Sequence, residues 1–145
     1  MTPIPDRDRL RLILHGAVVI LIGLMFGLPT TAESIAGGER HWHTGHEALI
    51  MMGTWMLAAS GVLPALVLPQ RERSAFVWSH LLMGYGFGLG LLIGGVEGVD
   101  IFAPGKTPLT MLAFVAAVLG ILGAVFAAAI TIRGAWAALR PQPGP

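Results

Sequence analysis

The chain has 145 residues, of which 54% are hydrophobic and only 12% are charged. A domain that folds in water carries about a quarter charged residues, so this composition predicts a protein whose main solvent is lipid. The lack of cysteine excludes disulfide bonds, CxxC redox centres and thiolate metal sites, and a formal net charge of +1 gives no case for nucleic-acid binding.

Four apolar runs predict an all-α fold, an integral membrane four-helix bundle in one domain over residues 12–139. Each run is long enough to cross a bilayer at about 1.5 Å per residue. The first run is too long for the apolar part of a secretory signal, which spans about 7–15 residues, so a retained helix is expected. The predicted helices cover about residues 12–28, 46–68, 75–96 and 109–139, between a polar segment 1–11 and a disordered tail 140–145.

Lysine and arginine are divided unevenly between the two ends of this predicted bundle. Seven arginines flank the ends that hold both termini and the 69–74 turn, whereas Arg40 and Lys106 flank the opposite ends. Because positively charged flanks stay in the cytoplasm, we expect a multi-pass protein of the inner membrane with both termini cytoplasmic. The polar segment before the second helix then lies on the outer side.

Histidine is concentrated in that polar segment, where His41, His43 and His46 fall within six residues. Imidazole is the commonest metal ligand and a frequent axial ligand of haem iron, so this segment is the best chemical lead in the chain. In a loop the three side chains can converge on zinc, copper or nickel, whereas on one continuous helix they point apart. Trp42, among them, is typical of an aromatic anchor at the membrane interface.

His46 opens the second predicted helix, and Gly53 lies on the same helix face two turns later. This spacing is compatible with a haem ligand that leaves room for the porphyrin plane, but by itself it favours a histidine at the water interface. His15 and His80 lie inside the first and third helices near the cytoplasmic side. Each can bond a backbone carbonyl, or the two can hold an electron-transfer haem between them.

Glycine recurs along the third predicted helix in small-xxx-small pairs, which allow membrane helices to approach closely. These contacts can form within one bundle, or they can meet a neighbouring protomer or a flat cofactor. The residues concerned are Gly84, Gly86, Gly88, Gly90, Gly94 and Gly95.

The order and spacing of several motifs resemble the styrene oxide isomerase family. The resemblance spans about residues 14–139, and its strongest part runs from Trp42 to Pro64. It rests on Trp42-x-x-x-His46, Gly53, Val62-Leu63-Pro64-x-Leu66, His15-Gly16, Phe26-Gly27 and a fourth helix of small residues that ends in arginine.

This resemblance implies a homotrimer of four-helix membrane protomers that binds haem b between neighbours, with His46 as the single axial ligand. Trp42, Gly53, His43 and Arg40 would lie around the cofactor, with Arg40 and His43 placed to reach its propionates. The ferric iron would act as a Lewis acid on an aryl epoxide, whose C–O bond opens so that a hydride shift yields an aldehyde. A pocket in lipid would exclude the water that otherwise gives a diol.

The third helix departs from the family pattern. The family carries an Asn and, four residues later, a Tyr that position the epoxide, but an ungapped count from Pro64 places Phe87 and Leu91 there. Neither side chain can donate a hydrogen bond, and the nearest phenol, Tyr85, lies on a different helix face. The haem site therefore matches the family better than the catalytic pocket does. The leading prediction, which rests on the resemblance, is a haem b epoxide isomerase. The alternatives are a haem-binding membrane protein for sensing, storage or electron transfer, and a small metal-handling membrane protein without haem.

Overall fold

A computed structural model of the chain describes residues 6–28 and 39–140, with side chains in the second segment from Trp42 onward. Its helices are α1 (Arg7–Gly27), α2 (Glu39–Val62), α3 (Gln70–Glu97) and α4 (Pro108–Leu139), with a short 3-10 turn over Leu63–Ala65. Within the two described segments no strand is present. All four helices are long and apolar enough to span a membrane, which confirms the predicted all-α fold.

Three helices begin earlier than hydropathy predicts. α1 begins at Arg7 rather than near residue 12, α2 at Glu39 rather than near residue 46, and α3 at Gln70 rather than near residue 75. Hydropathy marks the part of a helix that prefers lipid, whereas backbone hydrogen bonds continue through polar residues outside it. Of the predicted disordered tail, residues 140–145, Arg140 is the C-cap of α4, and residues 141–145 lie outside the described part of the chain.

The second helix also ends earlier than predicted, at Val62 rather than near residue 68. Pro64 lies in the 3-10 turn that follows. Proline has no backbone N–H to donate, and its ring clashes with the carbonyl four residues before it, so an α-helix rarely continues through it. The chain then turns into α3 after Pro69.

The helices pack in two pairs, α1 with α2 and α3 with α4, and the pairs meet chiefly where α2 contacts α3. Glycines set the spacing within each pair. A Cβ atom on Gly86 would lie 2.8 Å from the carbonyl oxygen of Ala116, and one on Gly53 would lie 2.6 Å from that of Gly16. The glycines of the third helix therefore serve packing inside this bundle. The centre of the bundle is formed by Leu12, Val19, Leu49, Met56, Leu63 and Phe76.

Ion pairs join three helix ends at one end of the bundle. Arg73 at the start of α3 binds the carboxylate of Asp6 and lies 3.9 Å from that of Asp8. Arg133 near the end of α4 pairs with Glu72. These contacts place the arginine-rich helix ends side by side, as the charge pattern predicts, and leave the start of α2 at the opposite end.

Asp6 at this charged end has two tasks. Its carboxylate caps α1 by accepting from the backbone N–H groups of Asp8 and Arg9. Partial burial alone would raise the pKa of Asp6, but the hydrogen bond and charge of Arg73 together with these N–H groups hold that pKa below its ordinary value. The carboxylate therefore stays ionised when α1 and α3 are docked.

Candidate functional site

His46 lies near the start of α2, half-buried against α1. Its Nδ1 atom is 2.8 Å from the backbone carbonyl oxygen of Gly23. A carbonyl can only accept, so Nδ1 donates, and the neutral ring keeps a lone pair on Nε2. Metal-binding histidines commonly show this arrangement, in which one ring nitrogen donates to a carbonyl and the other coordinates. The donor set at His46 therefore fits an axial ligand for haem iron.

Close packing of α1 against α2 brings the carbonyl of Gly23 within reach of this ring. Gly27 must lack a side chain here, because a Cβ atom on it would lie 2.8 Å from Nδ1 of His46. Gly53, two turns beyond His46, was expected to leave room for a porphyrin. The structure instead fills the space beside Gly53 with Gly16 and Ile20 of α1. Gly53 thus permits the helix contact that positions the ring.

Trp42 is held between α1 and α3. Its ring centroid is 5.1 Å from that of Phe26 in α1, and a Cβ atom on Gly95 of α3 would lie 3.2 Å from the indole. The side chain is half-buried, so Trp42 packs against the other helices where the sequence suggested an interfacial anchor. Because Trp42 and His46 are one turn apart on α2, this packing also fixes the turn that carries the histidine.

The other residues predicted around a cofactor lie nearer the tip of α2. His43 is exposed, and its Nδ1 atom is 3.6 Å from a carboxylate oxygen of Glu47 one turn later. The side chains of Arg40 and His41 are outside the described part of the structure. Since α2 is helical from Glu39 onward, the loop in which three histidines would converge is not formed. Among the described residues, no group of three His, Asp or Glu side chains could hold a metal ion.

A cavity of about 390 Å³ lies at the same end of the bundle, between α2, α3 and the loop after α3. We call it the outer cavity. Leu91 forms part of its wall. Phe87 packs on Gly120 of α4, and its ring centroid is 6.3 Å from that of Phe102, a wall residue. The remaining wall residues are Thr44, Gly94, Gly95, Val99, Asp100 and Ile101.

Thr44, which lines the outer cavity, and His46 lie on different faces of α2. Thr44 contributes to the cavity wall and precedes His46 by two positions, which corresponds to about 200° around a helix. Gly45, between them, contacts both Phe26 of α1 and Leu91 of α3. Within one chain, the candidate ligand therefore faces α1 while the cavity faces α3.

Tyr85 lies away from the outer cavity, because its hydroxyl is 2.8 Å from Nδ1 of His15. The two rings meet edge to face with centroids 5.7 Å apart. His80 instead donates from Nδ1 to the carbonyl of Phe76, 2.8 Å away in its own helix. His15 therefore pairs with Tyr85, and His80 pairs with a backbone carbonyl. A bond to a backbone carbonyl was one of the two alternatives predicted for these histidines.

The most informative contact at this site has no sequence signal of its own. The acceptor for His46 is a backbone carbonyl, and every residue carries one, so the choice of Gly23 follows from how α1 and α2 dock. The sequence feature that comes nearest to predicting this contact is Gly27 in the Phe26-Gly27 motif. A glycine in a membrane helix often marks a place where a second helix approaches closely.

Comparison with known proteins places this arrangement in a family. A family model described as styrene oxide isomerase matches residues 8–136, a region that includes His46 and most of all four helices. Comparisons with curated proteins and with solved structures gave no significant match. The chain belongs to the styrene oxide isomerase family.

Proposed function

We propose that this protein isomerises an apolar epoxide in the membrane and holds haem b through Nε2 of His46. The observation that carries the proposal is the Nδ1 bond from His46 to the carbonyl of Gly23, in a chain of the styrene oxide isomerase family. The bound haem would supply a Lewis-acidic iron for the epoxide oxygen. The residues of the chain would supply orientation, exclusion of water and substrate access.

Orientation is the task of the residues around His46. The carbonyl of Gly23 fixes the tautomer and the orientation of the ring, as a hydrogen-bond acceptor on the second nitrogen of a metal-bound histidine commonly does. Gly27 leaves the space that the ring occupies. Trp42, packed between Phe26 and Gly95, holds the first turns of α2 against the other helices. His46 is therefore a preorganised ligand, which limits the entropy lost when a cofactor binds.

Exclusion of water decides whether an opened epoxide rearranges or becomes a diol. Leu91, Ile101 and Phe102 give the outer cavity an apolar part that would receive an aryl group, beside the polar side chains of Thr44 and Asp100. Lipid around the helices would concentrate such a substrate, since large apolar side chains cover the outward faces of α1 to α4. We propose the outer cavity as the place where the substrate is held or enters.

A second copy of the chain would bring the two features together. The His46 ring bonds the carbonyl of Gly23 in α1, whereas the outer cavity is lined by α3 and by Thr44 on another face of α2. We therefore propose a homotrimer in which haem b lies between protomers, so that His46 of one copy meets the cavity side of the next. The arginine-rich end of the bundle would face the cytoplasm of the inner membrane, and the His46 end would face outward.

An absorption spectrum of the purified protein, combined with turnover, tests this function. We expect a Soret band in wild-type protein and in His43→Ala, and its loss in His46→Ala. We also expect conversion of an aryl epoxide to the aldehyde without added reductant. His43→Ala is the matched control, because it also removes a histidine from the first turns of α2. The His43 side chain is exposed and lies 3.6 Å from Glu47, and His43 is not the candidate iron ligand. Full haem retention in His46→Ala would refute the site, and a colourless protein from haem-replete cells would refute the cofactor.

A second candidate is a haem protein with a task other than isomerisation. It is favoured by Phe87 and Leu91, which stand where the family carries hydrogen-bond donors and cannot donate themselves. A protein that binds haem through His46 but leaves aryl epoxides unchanged would support this candidate. In that case, the reduction potential and the binding of small gaseous ligands would be measured next.

A further inference from the structure

The end of α4 carries exposed arginine and tryptophan side chains that the proposed isomerase does not use. Arg133, Trp136 and Arg140 follow one another at intervals of three and four residues, so they lie on one face of the helix. Trp136 is 64% exposed. The adjacent Gly134 turns toward the bundle instead, where a Cβ atom on it would lie 2.8 Å from Leu68. The face with the two arginines therefore looks outward.

These three side chains border a groove of about 450 Å³ on the surface of α4, which we call the arginine groove. Its other wall residues are Ala129, Ile132 and Ala137. The two alanines lie one turn before and one turn after Arg133, so small side chains continue along the helix from the arginines toward the middle of the span. The arginine groove thus joins a basic end to an apolar channel in which an alkyl chain can lie.

Both arginines of the groove can bind an anion. Arg133 pairs through Nη1 with Glu72 of α3, but a guanidinium carries five N–H donors, so it can bind a second acceptor. The pair with Glu72 also holds the guanidinium in place. Arg140 is exposed and has no ion pair among the described residues. Two arginines and one carboxylate leave this end of the groove with a net positive charge.

The combination of charge and apolar surface selects an amphipathic anion. Arginine binds phosphate oxygen atoms through strong charge-assisted hydrogen bonds, and basic pockets at the ends of membrane helices bind anionic lipid headgroups. Trp136 lies between the two arginines on this face, and tryptophan is enriched where headgroups meet acyl chains. A soluble anion would contact only the arginines, whereas a phospholipid would also cover Ala129 and Ile132.

We propose that the arginine groove binds an anionic phospholipid. The phosphate accepts hydrogen bonds from Arg133 and Arg140, and one acyl chain lies along Ala129 and Ala137. A zwitterionic headgroup fits less well, because its own cation is repelled by the arginines. The groove lies at the arginine-rich end of the bundle, opposite the end that holds His46, so this site does not depend on haem or on the proposed isomerisation.

The test uses the lack of cysteine in this chain. Leu139→Cys places a single thiol beside Arg140, at a side chain that is 86% exposed and outside the groove wall, and the thiol is labelled with bimane. The labelled protein is placed in phosphatidylcholine nanodiscs. These contain the same small fraction of either phosphatidylglycerol or phosphatidylcholine with a doxyl quencher on the chain near the headgroup.

Quenching of bimane reports which lipid occupies the groove. We expect phosphatidylglycerol to bind about fivefold to tenfold more tightly than phosphatidylcholine, because one arginine near an anionic headgroup contributes about fivefold. Nanodiscs without quencher give the reference fluorescence of each protein.

Two variants and one control locate the headgroup and the chain. Arg140→Gln should reduce the preference for phosphatidylglycerol about fivefold. Arg9→Gln is the matched control, because it removes the same charge from an exposed position at the same end of the bundle, on α1 and outside the groove. It should leave the preference unchanged. Ala129→Phe fills the apolar channel at an exposed position, so it should weaken lipid binding without lowering the melting temperature.

Three outcomes would overturn the proposal. Equal quenching by the two lipids in wild-type background would mean that the label meets only bulk lipid. An equal loss of preference in Arg140→Gln and Arg9→Gln would assign it to the overall charge of this end of the bundle. Displacement of the lipid by inorganic phosphate, beyond the effect of chloride at the same ionic strength, would assign the arginines to a soluble anion.

Discussion

The Nδ1 atom of His46 lies 2.8 Å from the carbonyl oxygen of Gly23, so α2 carries the candidate ligand and α1 sets its orientation. The contact requires that α1 and α2 lie close together and that no side chain occupies the position of the ring. Gly27 leaves that position empty, and Gly53, two turns beyond His46, allows α1 to approach α2 closely. The properties of the site therefore depend on helix packing as much as on the histidine itself.

Substitution of Gly27 should weaken haem binding without removing the ligand. In Gly27→Ala the new Cβ atom would lie 2.8 Å from Nδ1 of His46, so the ring must rotate and its bond to Gly23 is lost. Loss of the hydrogen-bond partner of a metal-ligating side chain commonly lowers the affinity for the metal about 10–100-fold. We expect a loss of this size in haem titrations followed at the Soret band. Gly61→Ala is the matched control, because nothing lies within 4 Å of the Cβ position of Gly61.

Substitution of Gly53 should destabilise the bundle and, through it, the site. A Cβ atom there would lie 2.5 Å from Ile20 and 2.6 Å from the carbonyl oxygen of Gly16, so α1 must move away. Overpacking of this kind costs about 1–3 kcal/mol, and Gly53→Ala should lower the melting temperature in detergent. Gly88→Ala serves for comparison, because its Cβ would meet Leu49 at an ordinary 3.4 Å. Equal melting temperatures for the two variants would contradict the argument.

A hydrogen-bond donor introduced at Leu91 should raise epoxide turnover. Leu91 lies in the wall of the outer cavity and stands where the family carries a Tyr, so Leu91→Tyr returns a phenol to that wall. One neutral hydrogen bond is worth about 0.5–1.5 kcal/mol, which corresponds to an increase in kcat/KM of about 2–10-fold. Phe102→Tyr adds a phenol at another point of the same wall and tests whether position matters. An unchanged rate in Leu91→Tyr would favour the non-isomerase candidate.

The pairing of Asp6 with Arg73 should make stability depend on pH in the acid range. The pKa of Asp6 is lower in the folded protein than its ordinary value of 3.8, so the ionised form favours folding. This stabilisation is fully present above the unfolded pKa and is lost as the pH falls through the lower, folded pKa. Asn caps helices as well as Asp does, so Asp6→Asn removes the charge and keeps the cap.

We therefore expect the melting temperature of Asp6→Asn to lie below that of wild-type protein between pH 5 and pH 8. The difference should begin to shrink as the pH falls below about 4 and should disappear once the pH is below the folded pKa. The effect should be small, because pairs with this degree of exposure contribute about 0.2–1 kcal/mol, and added salt should reduce it. A difference that persists at low pH would assign the effect to the helix cap instead of the ion pair.

The amino-acid sequence was enough to predict the all-α fold, the four potential membrane spans and the family, and to select His46 as the leading candidate ligand. These properties follow from hydropathy and from residues at regular spacings along single helices. Hydropathy could not locate the start of α2 at Glu39, because helical hydrogen bonding continues through polar residues beyond the lipid-facing part. The early start places His41, His43 and His46 on one helix and removes the alternative of a metal loop.

The contacts of each candidate residue become visible only in the tertiary structure. It gave His46 its carbonyl partner, assigned Gly53 to helix packing, paired Tyr85 with His15, and left Nε2 of His80 without a partner among the described residues. These relationships join residues from different helices or depend on what surrounds them. They arise because glycines allow particular helix faces to come into contact. The residue pattern of one helix does not specify which face of the neighbouring helix it will contact.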